Sequence, residues 1–474
     1  GVDAAVVRAV ATAGRTVVVS GVTVAITLFG LLIFPSRFLQ SLAWSGTSVV
    51  LFAAAGAVTV LPALLSVVGR RIDALRVPLP WGRRPGRVQG SGWYRTAQAV
   101  MRRPVAVTVG ITAVLVTMGL PLLGAVWSRP AEWALPPDTD SRVVGDTLAA
   151  EFPRDPTKVI TAVVRMPGPV DTAPARDALD EYAQRLDALP GVDGAQVTGT
   201  YADLARITVG YSPLDPYGAQ VREVVADLRG EPAPPGAEAM FTQRPASITD
   251  MLEMLAAGLP WLLAIVVVVT FAVLFLAFGS VVLPVRTVLT NLLSLAAAMG
   301  VLVLVFQHGV LADLLGVRPA PYLDANFPVL IAAAVFGLAM DYEVFLLARM
   351  HEHYRRTGDH TEAVAVGVAH TARLVTSAAL LLGVVVGAFL VVDVSVVQML
   401  GVGVVVALVL DATVVRGLLV PATMGLLGRR AWWAPRPLAR WWARHHLEDD
   451  TGDGAGPDGA GPAVPHPVPA RPHA

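Results

Sequence analysis

The sequence predicts an α-helical polytopic membrane protein with about eight transmembrane helices and one extracytoplasmic α+β domain. Of its 474 residues, 54% are hydrophobic and 15% are charged, whereas soluble domains carry about 25% charged residues. A helix needs about 20 apolar residues to cross a hydrocarbon core of about 30 Å. Eight segments reach that length, near residues 16–34, 43–68, 104–127, 259–279, 281–306, 326–349, 374–392 and 395–425. One long acidic segment, residues 128–258, separates the third from the fourth.

The distribution of charge predicts the orientation of the chain. The segment 69–103 carries nine arginines against Asp73 alone, and loops rich in basic residues stay on the cytoplasmic side. The turn at Arg286, the segment 349–373 and the tail from Arg429 then fall on the same side. We therefore expect a multi-pass protein of the cytoplasmic membrane, with both chain ends cytoplasmic and the acidic segment outside.

Composition also excludes several classes of site. Residues 128–258 hold 20 acidic and 11 basic residues, and the rest of the chain holds 16 acidic and 25 basic. The neutral net charge of the whole chain therefore says nothing about partners. The preference for arginine over lysine is interpreted as coding bias and not as nucleic-acid binding, so no nucleic-acid partner is expected. The absence of cysteine excludes disulfides and thiolate metal sites. No phosphate-cradling glycine loop followed by lysine is present, so the sequence predicts neither ATP hydrolysis nor another enzymatic activity, and no cofactor or metal.

The acidic segment alternates strand-like and helix-like patterns. Four short runs read as strands and two amphipathic runs read as helices: 158–166, 173–189, 192–198, 206–211, 217–229 and 239–242, in the order β-α-β-β-α-β. That order favours a ferredoxin-like unit. Its acidic residues are scattered and are interpreted as a solvated surface.

An internal repeat indicates how the chain is organised. Residues 4–15 resemble 362–373, and 61–71 resemble 420–430, at offsets of 358 and 359. Four spans lie between the paired ones, so both copies run in the same direction, as in a parallel repeat. Only the second copy is complete, and symmetry predicts about 256 further residues upstream, in a twelve-span parent. The alternative is a genuine eight-span protein.

Six segments follow from the spans and the repeat. They are 1–71, the last two helices of the first repeat; 72–103, an arginine-rich cytoplasmic loop; 104–127, one helix; 128–258, a porter-like outer domain; 259–430, five helices of the second repeat; and 431–474, a cytoplasmic tail. In the tail, residues 429–447 combine arginine with four tryptophans, which suits the headgroup interface of an anionic leaflet. Residues 448–474 are acidic and then rich in Gly, Pro and Ala, which predicts disorder.

Ionisable residues inside a span are the best candidates for function, because charge is costly there. Asp341 lies fifteen residues into its span and is followed by Tyr342 and Glu343. A carboxyl group at that depth could load and release protons, and a tyrosine hydroxyl can hydrogen-bond either of its protonation states. We therefore predict a proton relay at Asp341 and Tyr342, with Glu343 as a secondary polar residue. The alternative is a structural pair that joins helices.

Asp411, Arg416 and Ser377 are the other intramembrane polar candidates. Arg416 follows Asp411 by five residues, which is not a facing distance on an α-helix, so Asp411 is expected to pair with Arg373 or Arg349 instead. Ser377 and its neighbour Thr376 could hydrogen-bond across helices, but packing between helices is the expected role.

Two acidic residues, Asp324 and Asp393, fall at predicted outer interfaces, where charge is cheap. His351 and His353, two residues apart, do not share a helix face, so a metal site is not expected there.

These motifs resemble those of the MmpL-type transporters of the RND superfamily, found in actinobacteria. GLAMDYEVFLLARM (337–350) is similar to the family's Asp-Tyr segment, and TARLVTSAALLLGVVVGAF (371–389) and LDATVVRGLLVPATMGLLGR (410–429) are similar to its last two spans. GRTVVVSGVTVAITLFGLL (14–32) resembles the corresponding span of the first repeat. The resemblance implies twelve spans, two porter domains, and one Asp-Tyr pair in each repeat, with the pairs in contact. Asp341 and Tyr342 match the second pair, and the offset places the first upstream of Gly1.

The family resemblance implies export of lipids or other hydrophobic compounds, driven by the proton gradient. The expected partners are a lipid or hydrophobic small molecule, protons, membrane lipids and a second copy of the chain. Two alternatives stay open. One is a non-transporting module that senses lipid or sterol or acts as a scaffold, and the other is an inactive truncated half-transporter. Fold alone does not separate them.

Overall fold

Long apolar helices dominate the computed structural model of the chain. The structure describes residues 6–7, 9–69, 91–151, 159–211, 215 and 218–445, with backbone alone at residues 12, 13, 15, 16, 149, 338, 339, 341 and 445. Most of the arginine-rich loop predicted at 72–103 and the disordered tail predicted at 448–474 lie outside the described residues.

Among the described residues, eight α-helices and a composite last span form the bundle. They are α1 (Arg15–Phe29), α2 (Arg37–Val68), α3 (Gly92–Arg102), α4 (Pro104–Gly119), α8 (Arg244–Phe278), α9 (Val282–Leu302), α11 (Phe327–Thr357) and α12 (His360–Gly387), followed by a last span built from α13 (Ser395–Val409), a π-helix (Leu410–Leu419) and α14 (Val420–Leu427). A short amphipathic helix, α15 (Arg436–His445), ends the described chain.

Within the described residues, seven helical spans are long and apolar enough to cross a membrane, and a shorter apolar helix covers Val17–Ile33. These eight correspond one to one with the eight predicted segments, so the prediction of a polytopic helical membrane protein is confirmed. The mean hydropathy of the seven lies between 1.9 and 2.9. Such helices leave their outer faces apolar, and many large apolar side chains are exposed accordingly, including Phe52, Leu123 and Leu381.

A mixed α/β domain occupies the segment between α4 and α8. Its elements are β1 (Trp127–Ser128), α5 (Asp140–Glu151), β2 (Val159–Arg165), α6 (Ala173–Asp187), β3 (Val192–Tyr201), β4 (Leu204–Tyr211), α7 (Ala219–Gly230) and β5 (Glu238–Thr242). The four longer strands form one antiparallel sheet in the order β3-β4-β2-β5. Each strand and helix predicted here is present, whereas α5 was not predicted.

The sheet of this domain has one buried face. Ile160, Ala162 and Val164 alternate along β2 and are fully buried, and Leu179 and Val225 of the two helices pack over them in one core. This period-2 alternation explains why the sequence pattern located the strand.

Two connections join the mixed domain to the helical bundle. At one, β1 pairs in parallel with β6 (Leu323–Asp324), just before α11 begins at Phe327. At the other, β5 runs into α8 through Gln243, whose φ is +86°. α8 then continues without a break through the boundary predicted at residue 258, and Pro260 lies within it. The mixed domain is therefore tied to both α8 and α11.

Glycines allow two of the closest helix contacts. A Cβ atom on Gly300 of α9 would lie 2.8 Å from the Cα atom of Gly119 at the end of α4, and one on Gly258 of α8 would lie 2.6 Å from Cδ1 of Phe34. Small residues of this kind let transmembrane helices pack through their backbones.

We expect Gly300→Ala to destabilise the protein, because the added methyl group meets main-chain atoms that cannot rotate away. Overpacking of this kind costs about 1–3 kcal/mol. Thermal unfolding followed by tryptophan fluorescence in detergent should show a lower midpoint. Gly110→Ala in α4 is the matched control, since nothing lies within 4 Å of its Cβ position. Equal midpoints for the two variants would contradict the packing described here.

Candidate intramembrane polar site

The predicted Asp341-Tyr342 pair lies in the middle of α11, which is largely buried in the bundle. The side chain of Asp341 is outside the described part of the structure. One helical turn earlier, Gly337 faces α1 closely, since a Cβ atom there would lie 3.1 Å from Cγ1 of Val24. This part of α11 is therefore packed against α1.

Tyr342 lies against a charged residue of the last span. The guanidinium carbon of Arg416 lies 4.9 Å from the centroid of the Tyr342 ring. Nη2 of Arg416 also lies 2.5 Å from Oδ2 of Asp411, and both side chains are close to fully buried. Cation–π contacts are strongest when the cation is removed from water. Tyr342, Arg416 and Asp411 therefore form one buried polar cluster, and the expected pairing of Asp411 with Arg373 or Arg349 is wrong.

The reason lies in the local helix geometry. Leu410–Leu419 is a π-helix, in which hydrogen bonds join residues i and i+5. Asp411 and Arg416, five residues apart, consequently lie above one another on the same face. On an α-helix the same pair would be turned away by about 140°, as 3.6 residues per turn requires. π-Segments are frequent at functional sites, and this one holds both members of the ion pair.

A second buried ion pair involves Glu343, the residue that follows Tyr342 in the chain. Glu343 pairs with Nη2 of Arg286 of α9 and also accepts a hydrogen bond of 2.8 Å from Oγ1 of Thr287. Arg286 is only 6% exposed, as is Glu343. The sequence pattern assigned Arg286 to a turn, which is wrong. The turn lies at residues 279–281, and Arg286 is the fifth residue of α9.

Polar residues continue from Thr287 along the buried face of α9. They are Thr290, Asn291 and Ser294, at helical spacings of three and four residues. Nδ2 of Asn291 and Oγ of Ser294 have no hydrogen-bond partner among the described residues. Sequence reasoning missed this set, although polar residues that recur every three or four positions in an apolar span form a detectable pattern.

A small cavity opens beside the Arg416 cluster. It lies between α3, α11, α12 and the π-helix, and Trp93, Thr371, Thr376 and Arg416 contribute to its lining. Trp93 of α3 packs closely over Gly417, where a Cβ atom would lie 2.8 Å from the indole ring. The amphipathic helix α3 therefore covers one side of the polar cluster.

The remaining candidates lie elsewhere. Ser377 is exposed and donates its hydroxyl to the carbonyl oxygen of Leu374 in its own helix, so it makes no bond between helices. Asp393 is paired with Arg318 at the rim, with 63% of its side chain exposed. Asp324, expected at an exposed interface, is only 3% exposed. It is buried because β6 pairs with β1 there.

Burial and local hydrogen bonds act in opposite directions on Asp324. Burial raises the pKa of this carboxyl group above its ordinary 3.8, while the backbone and side-chain N–H groups of Asn326, both 2.9 Å from Oδ1, and the charge of Arg129 oppose the rise. The net shift is upward. Asp324 thus titrates at the junction between the mixed domain and α11.

Apolar spanning helices with two buried ion pairs and a central Asp-Tyr segment define a polytopic membrane protein with an intramembrane polar site. A family model described as the MMPL family matches residues 1–107 and 133–449. This chain therefore belongs to the MMPL family, and its resemblance to MmpL-type transporters of the RND superfamily is confirmed.

Relatives support this membership over nearly the whole chain. The chain is 41% identical to membrane protein SCO6666 of Streptomyces coelicolor over 98% of its own length and 62% of that protein. It is 34% identical to the trehalose monomycolate exporter MmpL3 of Mycobacterium tuberculosis over 93% and 50%, respectively. It is 34% identical to the mycolic acid-containing lipids exporter MmpL11 of Mycolicibacterium smegmatis over 92% and 46%. The chain thus spans about half the length of these curated relatives.

Solved structures show the same fold at low sequence identity. The hedgehog release protein Disp of the water bear Hypsibius dujardini matches with a TM-score of 0.61 at 14% identity, over 88% of this chain and 58% of that one. A heavy metal efflux pump matches with a TM-score of 0.52 at 13% identity, over 89% and 59%.

We expect Asp411→Asn to destabilise the protein, because it removes one charge of a buried ion pair. Loss of one partner of such a pair costs about 3–5 kcal/mol. Glu352→Gln is the control, since Arg349 and Glu352 form an exposed pair that is worth about 1 kcal/mol or less. The measurement is the thermal unfolding midpoint of each variant in the same detergent. A shift for Asp411→Asn no larger than that of the control would contradict the burial of the pair.

Asp324→Asn should change how stability depends on pH. In the wild type the folded-state pKa lies above the unfolded value of 3.8, so the folded protein binds the proton more readily. Stability should therefore rise as the pH falls through the folded-state pKa towards 3.8. Asparagine keeps an acceptor oxygen for Asn326 but does not titrate, so the variant should lack this increment.

The readout is the difference in unfolding midpoint between wild type and Asp324→Asn from pH 7 downwards. At pH 7 we expect the variant to be the more stable, because no buried charge is left, and the difference should shrink with acidification. Asp177→Asn, at an exposed aspartate of α6, controls for the loss of one negative charge. A difference that is constant with pH would contradict the prediction.

Proposed function

We propose that this chain is part of a proton-driven exporter of lipids or other hydrophobic compounds across the cytoplasmic membrane. The carrying observation is the presence of two buried ion pairs at Tyr342 within an apolar bundle: Asp411–Arg416, whose guanidinium group lies over the Tyr342 ring, and Arg286–Glu343, formed by the next residue in the chain. Ionisable groups at membrane depth are costly and occur where ions or protons are moved.

In this proposal Asp341 is the group that gains and loses the proton, and Tyr342 is its hydrogen-bonding neighbour. Glu343 and Asp411 are each engaged in an ion pair with an arginine, so neither is the group that we assign to proton exchange. Asp341 is then the carboxyl group of this segment that exchanges its proton. Uptake of a proton from one side makes the charge of α11 more positive by one unit, and release to the other side restores the starting charge.

Arg416 links this charge change to the last span. Its guanidinium group lies over the Tyr342 ring while Asp411 holds it from the same π-helix. A change in charge beside Tyr342 alters the field at Arg416, and the π-helix can respond by shifting between i→i+4 and i→i+5 hydrogen bonds. Protonation is thereby coupled to helix position.

The names of the relatives support a lipid as the substrate. One relative is a trehalose monomycolate exporter and another exports mycolic acid-containing lipids. Both names describe export and not catalysis, in agreement with the prediction that this chain is not an enzyme. The partners in this proposal are a lipid or hydrophobic small molecule, protons and membrane lipids, together with a second copy of the chain.

We also propose the orientation and organisation that the sequence predicts. The arginine-rich segment 69–103 and the tail face the cytoplasm, and the mixed domain lies outside. The antiparallel order β3-β4-β2-β5 with two crossing helices supports a ferredoxin-like porter domain. The match to about half of each relative supports a six-plus-six parent in which a second Asp-Tyr pair faces the first.

Asp341→Asn should abolish export by the complete protein without loss of membrane insertion, since the amide cannot exchange a proton. Cells that lack the gene and carry the wild type or the variant are labelled with radioactive acetate. The measurement is the share of labelled lipid that solvent extracts from the cell surface. We expect the variant to match both the gene deletion and wild-type cells treated with an uncoupler.

Asp393→Asn is the matched control, because Asp393 is an exposed rim aspartate. It should retain surface lipid at the wild-type level, and immunoblots of membrane fractions should show equal amounts of all variants. Normal surface lipid with Asp341→Asn would sink the proton-relay proposal. A surface-lipid profile that ignores both the uncoupler and the deletion would instead favour a non-transporting sensor or scaffold.

A further inference from the structure

The short helix α15 is docked against the end of a spanning helix. Nε1 of Trp442 donates a hydrogen bond of 3.0 Å to the carbonyl oxygen of Leu276 near the C-terminus of α8. The ring of Trp441 stacks on Phe275 with centroids 6.2 Å apart and an interplanar angle of 28°. Trp442 also covers Gly279, where a Cβ atom would come within 2.7 Å of the indole. Two tryptophans thus fix α15 to α8.

The segment before α15 is fixed to the same place. Ser280 donates its hydroxyl to the carbonyl oxygen of Ala431 at 2.7 Å. The backbone N–H of Val281 donates to the carbonyl oxygen of Trp433 at 3.1 Å. Trp432 stacks on Tyr354 at the end of α11, with centroids 6.0 Å apart and ring planes 11° from parallel. The tail is therefore held at the turn between α8 and α9.

The docking site is on the outer surface of the bundle. Leu276 is 57% exposed although it lies in an apolar spanning helix, so this face of α8 meets lipid. Exposed apolar side chains of the tail, Trp433, Leu438 and Trp441, lie beside it. Tryptophans at the end of a span are typical of the level where hydrocarbon meets headgroups.

The arginines of α15 form a row without acidic partners among the described residues. Arg436, Arg440 and Arg444 follow one another at intervals of four residues, which places them along one side of the helix. All three are exposed, and none makes an ion pair with an acidic residue of the described chain. Arg429 and Arg430, also exposed, add to the positive charge nearby.

We propose that α15 is an interfacial helix whose arginine row binds the phosphates of anionic phospholipids in the adjoining leaflet. The fixed positive charges of the arginines attract the phosphates of an anionic leaflet, and tryptophans hold the helix at the depth of those phosphates. The bound lipid would fix the end of α8, which runs unbroken from there to the mixed domain. The ligand class is an anionic glycerophospholipid, and the attraction rests on charge.

The test measures the depth of α15 in bilayers of different charge. The chain has no cysteine, so Ala439→Cys gives a single site on the exposed side of α15 for a nitroxide label. The labelled full chain is placed in nanodiscs of phosphatidylcholine, with or without phosphatidylglycerol. Accessibility of the label to a water-soluble nickel relaxant is then recorded at low and high salt.

We expect phosphatidylglycerol to lower the nickel accessibility severalfold at low salt and to have little effect at high salt. Each arginine near an anionic surface changes partitioning by about fivefold. Arg436→Gln, Arg440→Gln and Arg444→Gln together should abolish the lipid response. The corresponding triple lysine variant should retain most of it, because the charge is kept.

Arg176→Gln, Arg206→Gln and Arg222→Gln in the mixed domain form the matched control, with the same loss of charge far from α15. This variant should respond to lipid as the wild type does. An equal accessibility in both lipids for the wild type would overturn the proposal. A glutamine variant that responds normally, or a lysine variant that does not respond, would also overturn it, because binding would not then depend on charge.

Discussion

The cost of burying charge in an apolar bundle is the constraint on which the rest of this structure depends. An unpaired charge removed from water costs several kcal/mol or more, so each buried cation here lies beside an anion. Arg286 is held by Glu343 with help from Thr287, and Arg416 by Asp411. Replacing such pairs by apolar residues is often neutral or stabilising. Stability alone therefore does not account for them, and their position beside Tyr342 favours a role in coupling.

Two features of the backbone make this arrangement fit. The π-helix Leu410–Leu419 brings residues five apart onto one face, which lets a single helix supply both Asp411 and Arg416. Gly417 lets the indole of Trp93 pack closely against this π-helix, which covers one side of the Asp411–Arg416 pair. A low local dielectric strengthens each electrostatic contact.

The sequence predicted the large elements well, because the physics that sets them is simple. Span length follows from bilayer thickness, and strand alternation in β2 follows from one buried face. It failed where tertiary contacts decide. The Asp411–Arg416 pair was missed because its spacing fits only a π-helix, and Arg286 was assigned to a turn because basic residues usually lie outside the hydrocarbon. Asp324 was expected to be exposed because its burial depends on β1, almost 200 residues away in the chain.

The position of α11 connects the polar site directly to the mixed domain. Its first residue, Phe327, follows directly on β6, which is paired with β1, and Asp341 lies fourteen residues further on, about 21 Å along the axis. The hydroxyl of Tyr322, just before β6, donates a hydrogen bond of 2.8 Å to Asp215 of the mixed domain. A rigid helix transmits an axial shift along its whole length, so movement at Tyr342 reaches this junction without any intervening loop. The second connection, through α8, leads from the same domain to the turn where α15 is docked. The two helices thus join the mixed domain to the polar site and to the docked tail, so we expect a displacement at one of these places to change the strain at the others.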